Sequence, residues 1–108
     1  MTPTPEPPRL RVRKRITRCY ELSWMVVMDS PAWVLVHGTC RGPTGEQIGH
    51  AWVETLDGQH VYETMTDRVM CAGEHADYFA ALAVHRYLQR QAAEQVVKSG
   101  HYGPWAAA

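Results

Sequence analysis

Three side chains of this chain have the types and the order of a thiol nucleophile, its base and an orienting acid. Cys19 begins an apolar run, His50 lies in the strand-like segment 48–54, and Glu63 follows in the segment 61–63. A cysteine thiol is only a few per cent ionised at neutral pH, so it needs a base, and that base needs a group to orient it. We therefore take Cys19, His50 and Glu63 as the candidate catalytic residues for thiol-dependent acyl chemistry.

A predicted hairpin brings the imidazole and the carboxylate together. Residues 47–55 and 60–65 are strand-like, and Asp57-Gly58 between them is typical of a two-residue type I′ turn. This loop pairs Trp52 with Glu63 and makes Glu63 the diagonal neighbour of His50, with backbones about 7–8 Å apart. Because side chains alternate along a strand, one face carries His50, Trp52, Glu54, Val61, Glu63 and Met65, and the other carries His60 and Tyr62.

A helix is predicted to begin just before the cysteine. Thr17 suits the N-cap, and the helix runs to about Met28 because Pro31 disfavours helical geometry before it. In the first turn, unpaired amide groups and the helix dipole favour a thiolate at Cys19, whose N–H is available to an oxyanion. The helix is apolar nearly all round, which predicts a buried position. Three aromatic residues are candidates for lining a substrate cleft: Tyr20, Trp24 and Trp52.

The remaining elements predict an α+β fold. The buried N-terminal helix packs on a three- to four-stranded antiparallel sheet whose first strand is 33–37. A long C-terminal helix is expected from Glu74 to Ser99, ending at Gly100. Its predicted buried stripe consists of Ala80, Ala83, Val84, Tyr87 and Leu88. The aromatic tail 100–105 is expected to pack back onto the body, residues 1–15 to form a disordered Pro-rich basic arm, and 16–108 a single domain.

Composition limits the classes of protein and the compartment. A chain of 108 residues with 45% hydrophobic content can form one modest core. No apolar run approaches the roughly 18 residues of a membrane span, and the Pro-rich start lacks a secretory signal's apolar segment. Three cysteines without paired spacing do not form a disulfide framework. These features favour a reducing, cytoplasmic setting and no membrane association.

The charge is unevenly distributed. Residues 1–20 carry six bases and one acid (+5), and the rest carry five bases and ten acids (−5). A basic arm could contact nucleic acid or an acidic partner. The alternatives are a solvated tail or an edge strand through Leu10, Val12 and Ile16. We favour these because the arm has no aromatic residues to stack on bases.

Several segments together resemble small bacterial and phage proteins of the transglutaminase-like, papain-like cysteine superfamily. They are residues 18–24 (RCYELSW), 34–38 (VLVHG), 50–54 (HAWVE) and 61–64 (VYET), with a weaker likeness in the tail GHYGPW. The resemblance implies a helix opened by the nucleophile, packed on an antiparallel sheet that carries the histidine and then the acid. Glu63 stands where the superfamily usually has Asp. The resemblance implies peptidase or acyl-transferase activity, although some members are inactive.

Two other functions stay open from the sequence. Six histidines and three cysteines supply ligand types for zinc, but no pair has tight ligand spacing, so we expect no metal and no cofactor. An inactive relative of such cysteine proteins could instead bind a protein or nucleic acid through the basic arm and the tail. For the enzyme, the expected partner is a protein or peptide substrate. Cys40 and Cys71 have no partner motif and are interpreted as structural.

Overall fold

The fold is α+β, as the sequence predicts. A computed structural model describes residues 3–105, which form three helices and one antiparallel sheet. The elements are α1 (Cys19–Asp29), β1 (Trp33–Arg41), β2 (Gln47–Thr55), β3 (His60–Glu63), β4 (Arg68–Cys71), α2 (Ala72–Phe79), β5 (Leu82–Tyr87) and α3 (Gln89–Ser99). The strand order is β4-β3-β2-β1-β5, so the sheet has five strands where three to four were expected. No helix of residues 3–105 is long and apolar enough to cross a membrane.

The β2–β3 hairpin has the predicted register but a different turn. Val53 pairs with Tyr62 and Glu54 with Val61, as a two-residue loop would require. The predicted type I′ turn is wrong, because Gly58 has a positive φ and Asp57 does not. Instead, the Gly58 N–H donates to the Thr55 carbonyl at 2.9 Å, and the connection spans residues 56–59. The face assignment depends on the register, so it survives the change of turn.

Helix α1 packs its buried side on the centre of the sheet. Val26 and Val27 join a core cluster with Leu35, Val53 and Tyr62. The helix begins at Cys19, one residue later than an N-cap at Thr17 would place it, so the predicted N-cap is wrong. Arg18 occupies the cap position without a side-chain cap bond, and Thr17 has a φ of 66° with its hydroxyl donating to the Ile16 carbonyl. The first N–H groups of α1 thus lack the capping side chain that usually satisfies one of them.

The predicted continuous helix from Glu74 to Ser99 is wrong, because strand β5 separates the two helices α2 and α3. Ala80, with a φ of 50°, ends α2, and residues 82–87 form strand β5 on the free edge of β1. Val84 and Leu88 of the predicted buried stripe are more than half exposed. Over so few residues, the pattern of an edge strand that is buried on one side resembles part of a helical stripe. The unpaired edge of β1 determines that this segment forms a strand and not a helix. Gly100 caps α3 as predicted, with a φ of 77°.

The chain between β3 and α2 also departs from expectation. The third strand ends at Glu63 instead of running to residue 65, and residues 68–71 return as β4 beside it. The loop expected near residues 72–73 is the start of α2. The return strand places α2 directly after β4, against the face of β3 that carries Glu63.

Arg15 fixes the segment before α1 to the β3–β4 connection. Its guanidinium donates to the Tyr62 hydroxyl at 3.1 Å, the Thr64 carbonyl at 2.8 Å and the Leu10 carbonyl at 2.9 Å. Asp67 accepts from the same tyrosine hydroxyl at 2.6 Å and lies 3.6 Å from the guanidinium. Residues 3–15 form neither helix nor strand, so the edge-strand alternative is wrong. Leu10 nonetheless packs against the core, and disorder of the arm stays a prediction.

We expect Arg15→Ala to lower the free energy of unfolding by about 2 kcal/mol, because it removes several hydrogen bonds from a largely buried cation. Urea unfolding followed by tryptophan fluorescence measures the change. Arg13→Ala is the matched control, since Arg13 is an exposed base two residues away. Equal effects of the two substitutions would contradict the assigned role of Arg15.

The aromatic tail packs back onto the body, as predicted. Trp105 is buried and lies beside the rings of His37 and Tyr87, with centroid distances of 4.8 and 5.0 Å. The Tyr20 ring also contacts His37 in a T-shaped arrangement, with a centroid distance of 4.9 Å. His37 Nε2 is buried without a hydrogen-bond partner. Burial, assisted by nearby His85, lowers the pKa of His37 to about 4.

We expect this histidine to make stability fall as the pH drops from 6.5 to 4.5. Unfolding restores an ordinary pKa near 6.5, so in this range the unfolded chain binds more protons than the folded one. The expected loss is roughly 2 kcal/mol, measured by urea unfolding at a series of pH values. His37→Phe keeps an aromatic ring, loses no hydrogen bond and is expected to flatten the profile. An unchanged slope in this variant would contradict the account.

Candidate active site

The predicted histidine–carboxylate pair is formed and buried. His50 Nε2 lies 2.7 Å from Glu63 Oε1, and the two side chains are 10% and 0% exposed. Glu63 Oε2 also accepts the backbone N–H of Met65 at 3.2 Å. The pair forms because β3 ends at Glu63, where a long side chain reaches the diagonal position on β2.

Cys19 is the third member of the group. The Cys19 thiol lies close enough to the His50 ring to raise the pKa of His50. Since Nε2 of that ring is bonded to Glu63, Nδ1 is the nitrogen left for the thiol. Cys19 is the first residue of α1, so its backbone N–H has no partner within the helix. The sequence-predicted residues Cys19, His50 and Glu63 are therefore brought together, in the order thiol, imidazole, carboxylate.

The electrostatics of the group favour a charged imidazole and a charged carboxylate. Burial alone would lower the pKa of His50, but the hydrogen bonds to Cys19 and Glu63 and the charges of both groups raise it to about 10. Burial alone would raise the pKa of Glu63, but the hydrogen bonds to His50 and His75, the charge of His50 and the Met65 N–H lower it to about 2. The negative charge of Glu63 thus stabilises the protonated form of His50.

A second histidine, which the sequence analysis missed, bonds the same carboxylate. His75 on α2 places Nε2 3.0 Å from Glu63 Oε1, and its side chain is 2% exposed. A buried carboxylate accepts several hydrogen bonds, so a further donor to Glu63 could have been anticipated. The sequence offered five other histidines and no signal to choose among them, because the long-helix prediction concealed the start of α2.

Two of the three cleft candidates lie beside the group. The Trp52 ring is 5.8 Å from His50 and 5.1 Å from His75, so it packs along both imidazoles. The Tyr20 hydroxyl lies over Gly49, 2.8 Å from where a Cβ would stand. Burial and the nearby Cys19 and Cys40 thiols raise the pKa of Tyr20.

The third candidate is not brought to the group. Trp24 donates its indole N–H to the Ala92 carbonyl at 3.1 Å and packs against Tyr102 at 5.2 Å. These contacts hold α1 against α3 and the tail. Trp24 therefore has structural contacts, away from the hairpin face that carries His50.

Glycine is required opposite the imidazole. Gly38 pairs with His50 across the β1–β2 ladder. A Cβ on Gly38 would overlap the carbonyl oxygen of Leu82 and come within 2.9 Å of the Trp52 ring. The missing side chain allows β5 and Trp52 to approach the strand closely.

The other cysteines differ in exposure. All three cysteines are free; Cys40 is buried in β1, and Cys71 is exposed before α2. Burial raises the pKa of the Cys40 thiol, and the charges of Glu63 and Cys19 add to it while His50 opposes it. Among residues 3–105, no three His, Cys, Asp or Glu side chains are arranged to hold a metal ion.

Comparison of the chain with models of protein families, with curated proteins and with solved structures found no match. The function is therefore inferred from the geometry and chemistry of the residues themselves.

Proposed function

We propose that the protein carries out thiol-dependent acyl chemistry, with Cys19 as nucleophile, His50 as general base and acid, and Glu63 as the orienting carboxylate. The observation that carries the proposal is the single imidazole between a helix-terminal thiol and a fully buried carboxylate, 2.7 Å from the latter. Burying a carboxylate costs free energy unless its partners are charged. A histidine or cysteine with no chemical role does not need a buried carboxylate beside it, so this costly arrangement favours a chemical role.

The chemical steps follow from the order of the three groups. His50 takes the Cys19 proton, and the thiolate attacks the substrate's acyl carbon to form a tetrahedral oxyanion. The backbone N–H of Cys19, which has no partner within α1, donates to that oxyanion. Collapse of this intermediate expels the amine or alcohol, which takes the proton from His50 and leaves a thioester on Cys19. Water, deprotonated by His50, then releases the acid and restores the thiol; an acceptor amine in place of water gives acyl transfer.

The resemblance to transglutaminase-like, papain-like cysteine proteins supports the same reaction. The chain order of cysteine, histidine and acid is that of the superfamily, and α1 begins at the cysteine. We extend the proposal to a small bacterial or phage member, working on a protein or peptide in a reducing, cytoplasmic setting. Tyr20 and Trp52 are the proposed cleft residues because both lie next to the reacting group. Hydrolysis is the default where no acceptor is specified.

An activated ester tests the proposal without knowledge of the natural substrate. Incubation with p-nitrophenyl acetate should acetylate Cys19, detected by mass spectrometry after acid quenching, and release p-nitrophenolate beyond one equivalent. Cys19→Ala is the control and should abolish both signals. Acetylation of Cys71 at an equal rate, or none at Cys19, would contradict the proposal. That result would favour a binding module whose exposed arm bases are Arg9, Arg11, Arg13 and Lys14.

A further inference from the structure

We propose that His75 is a positioning residue of this site: its Nε2–H holds the Glu63 carboxylate in the orientation that serves His50. The inference rests on the proposed function, because it assigns a role within the same catalytic group. It adds a fourth residue, from a different element, whose action passes through Glu63 to the imidazole and the thiol.

The contacts of Glu63 are the first argument. Its Oε1 accepts from His50 at 2.7 Å and from His75 at 3.0 Å, and its Oε2 accepts from the Met65 N–H at 3.2 Å. A side chain ending in a carboxylate rotates about its last bond unless both oxygens are held. The His75 and Met65 contacts remove this freedom, so His50 meets a carboxylate already fixed in place.

The protonation states of the site residues give the second argument. A carboxylate with a pKa near 2 only accepts hydrogen bonds at neutral pH, so both Nε2 atoms must carry hydrogen. With its pKa raised to about 10, His50 is an imidazolium at neutral pH, so Nε2–H is held by Glu63 while Nδ1 carries the proton taken from Cys19. His75 contributes because it helps to hold at Glu63 the negative charge that orients and stabilises this imidazolium.

Packing gives the third argument. His75 lies between Trp52, at a centroid distance of 5.1 Å, and Phe79, at 5.0 Å, and is 1% exposed. Trp52 in turn packs along His50 at 5.8 Å. The ring of His75 therefore cannot swing away from Glu63 without disturbing the tryptophan beside the base. Helix α2 thus serves as a rigid support for the carboxylate.

A pair of amide substitutions tests the inference. In His75→Gln the side-chain NH₂ can reach the position of the imidazole Nε2, whereas in His75→Asn it is one methylene too short. We expect His75→Asn to slow alkylation of Cys19 by iodoacetamide at pH 7 by about threefold, less than loss of the base itself, because it removes one of the three hydrogen bonds that Glu63 accepts. The pH at which Cys19 becomes reactive should also move upward. His75→Gln should restore most of both, and His60→Gln is the control at a buried histidine on the opposite face of β3.

The outcomes separate this inference from the proposed function. An unchanged Cys19 pH profile in His75→Asn, with wild-type Cys19 still far more reactive than Cys71, would overturn the role of His75 and leave the function intact. A wild-type Cys19 no more reactive than exposed Cys71 would overturn both. Equal losses in the Gln and Asn variants would also reject positioning through the Nε2–H. If His75→Asn is too unstable to assay, slower alkylation in His75→Gln than in His60→Gln overturns the inference, because the donor is then present without restoring the site.

Discussion

Replacing His50 with alanine is expected to slow acetylation of Cys19 by p-nitrophenyl acetate at pH 7 by about a hundredfold or more. General acid–base catalysis contributes typically 10²–10⁴-fold, and this variant removes the imidazole that is bonded to Glu63 at 2.7 Å and whose pKa is raised by Cys19. Alkylation by iodoacetamide should fall less, by about tenfold, because the gain in thiolate at a paired cysteine is partly offset by its lower nucleophilicity. Stopped-flow absorbance and peptide mapping measure the two rates.

The control for this variant is a histidine of the same hairpin. His60→Ala removes a buried imidazole three residues from Glu63 on β3, on the opposite face of the sheet. It is expected to lower stability but leave both Cys19 rates within about twofold, because an imidazole on the opposite face of the sheet cannot take the Cys19 proton. Comparable rate losses in the two variants would show that His50 acts only through folding.

Glu63→Gln is expected to lower the acetylation rate by about a hundredfold while costing only about 1–2 kcal/mol of unfolding free energy. The amide keeps the shape and can still accept a hydrogen bond, but it cannot neutralise the imidazolium that forms when His50 takes the thiol proton. Without the carboxylate, the pKa of His50 should fall below its present value of about 10. Rates are measured with p-nitrophenyl acetate, and stability by urea unfolding.

The comparison between rate and stability decides the role of Glu63. If the rate of folded Glu63→Gln equals that of the wild type while stability drops by several kcal/mol, the buried pair is structural. Tyr62→Phe, on the neighbouring position of β3, is the matched control. It removes the hydrogen bonds of the Tyr62 hydroxyl with Arg15 and Asp67, on the face of the sheet that packs against α1. It should therefore affect stability alone.

The His50–Glu63 pair could be predicted from the sequence because it depends on a local register. Hairpin pairing fixes neighbours across only a few residues, and the pairs Val53–Tyr62 and Glu54–Val61 are those predicted. The prediction held although the turn type did not, because alternation sets the faces and the loop sets only how the chain reverses. The start of α1 was likewise readable to within one residue, from an apolar run that begins at Cys19.

The remaining features depend on contacts between distant parts of the chain. Residues 82–87 became strand β5 because β1 had an unpaired edge, which no local pattern reveals. Thr17 does not cap α1 because it lies, with a φ of 66°, in a turn closed by the Arg18 N–H donating to the Arg15 carbonyl at 3.2 Å. Arg15 is itself bonded to Tyr62 and Thr64. His75 reaches Glu63 through the β4 return, which the sequence analysis did not predict, although residues 74–79 of α2 were predicted to be helical. Tertiary contacts outweighed local propensity at each of these positions.

The pH dependence of Cys19 alkylation by iodoacetamide tests the central claim most directly. Peptide mapping of the wild type follows Cys19 and exposed Cys71 in one reaction, so Cys71 is the internal standard. We expect Cys19 to react well below pH 8, where an ordinary thiol is mostly protonated, and His50→Ala to lower this reactivity about tenfold at pH 7. A Cys19 that follows the same pH profile as Cys71, or keeps its reactivity without His50, would contradict a thiolate–imidazolium pair and the acyl chemistry built on it.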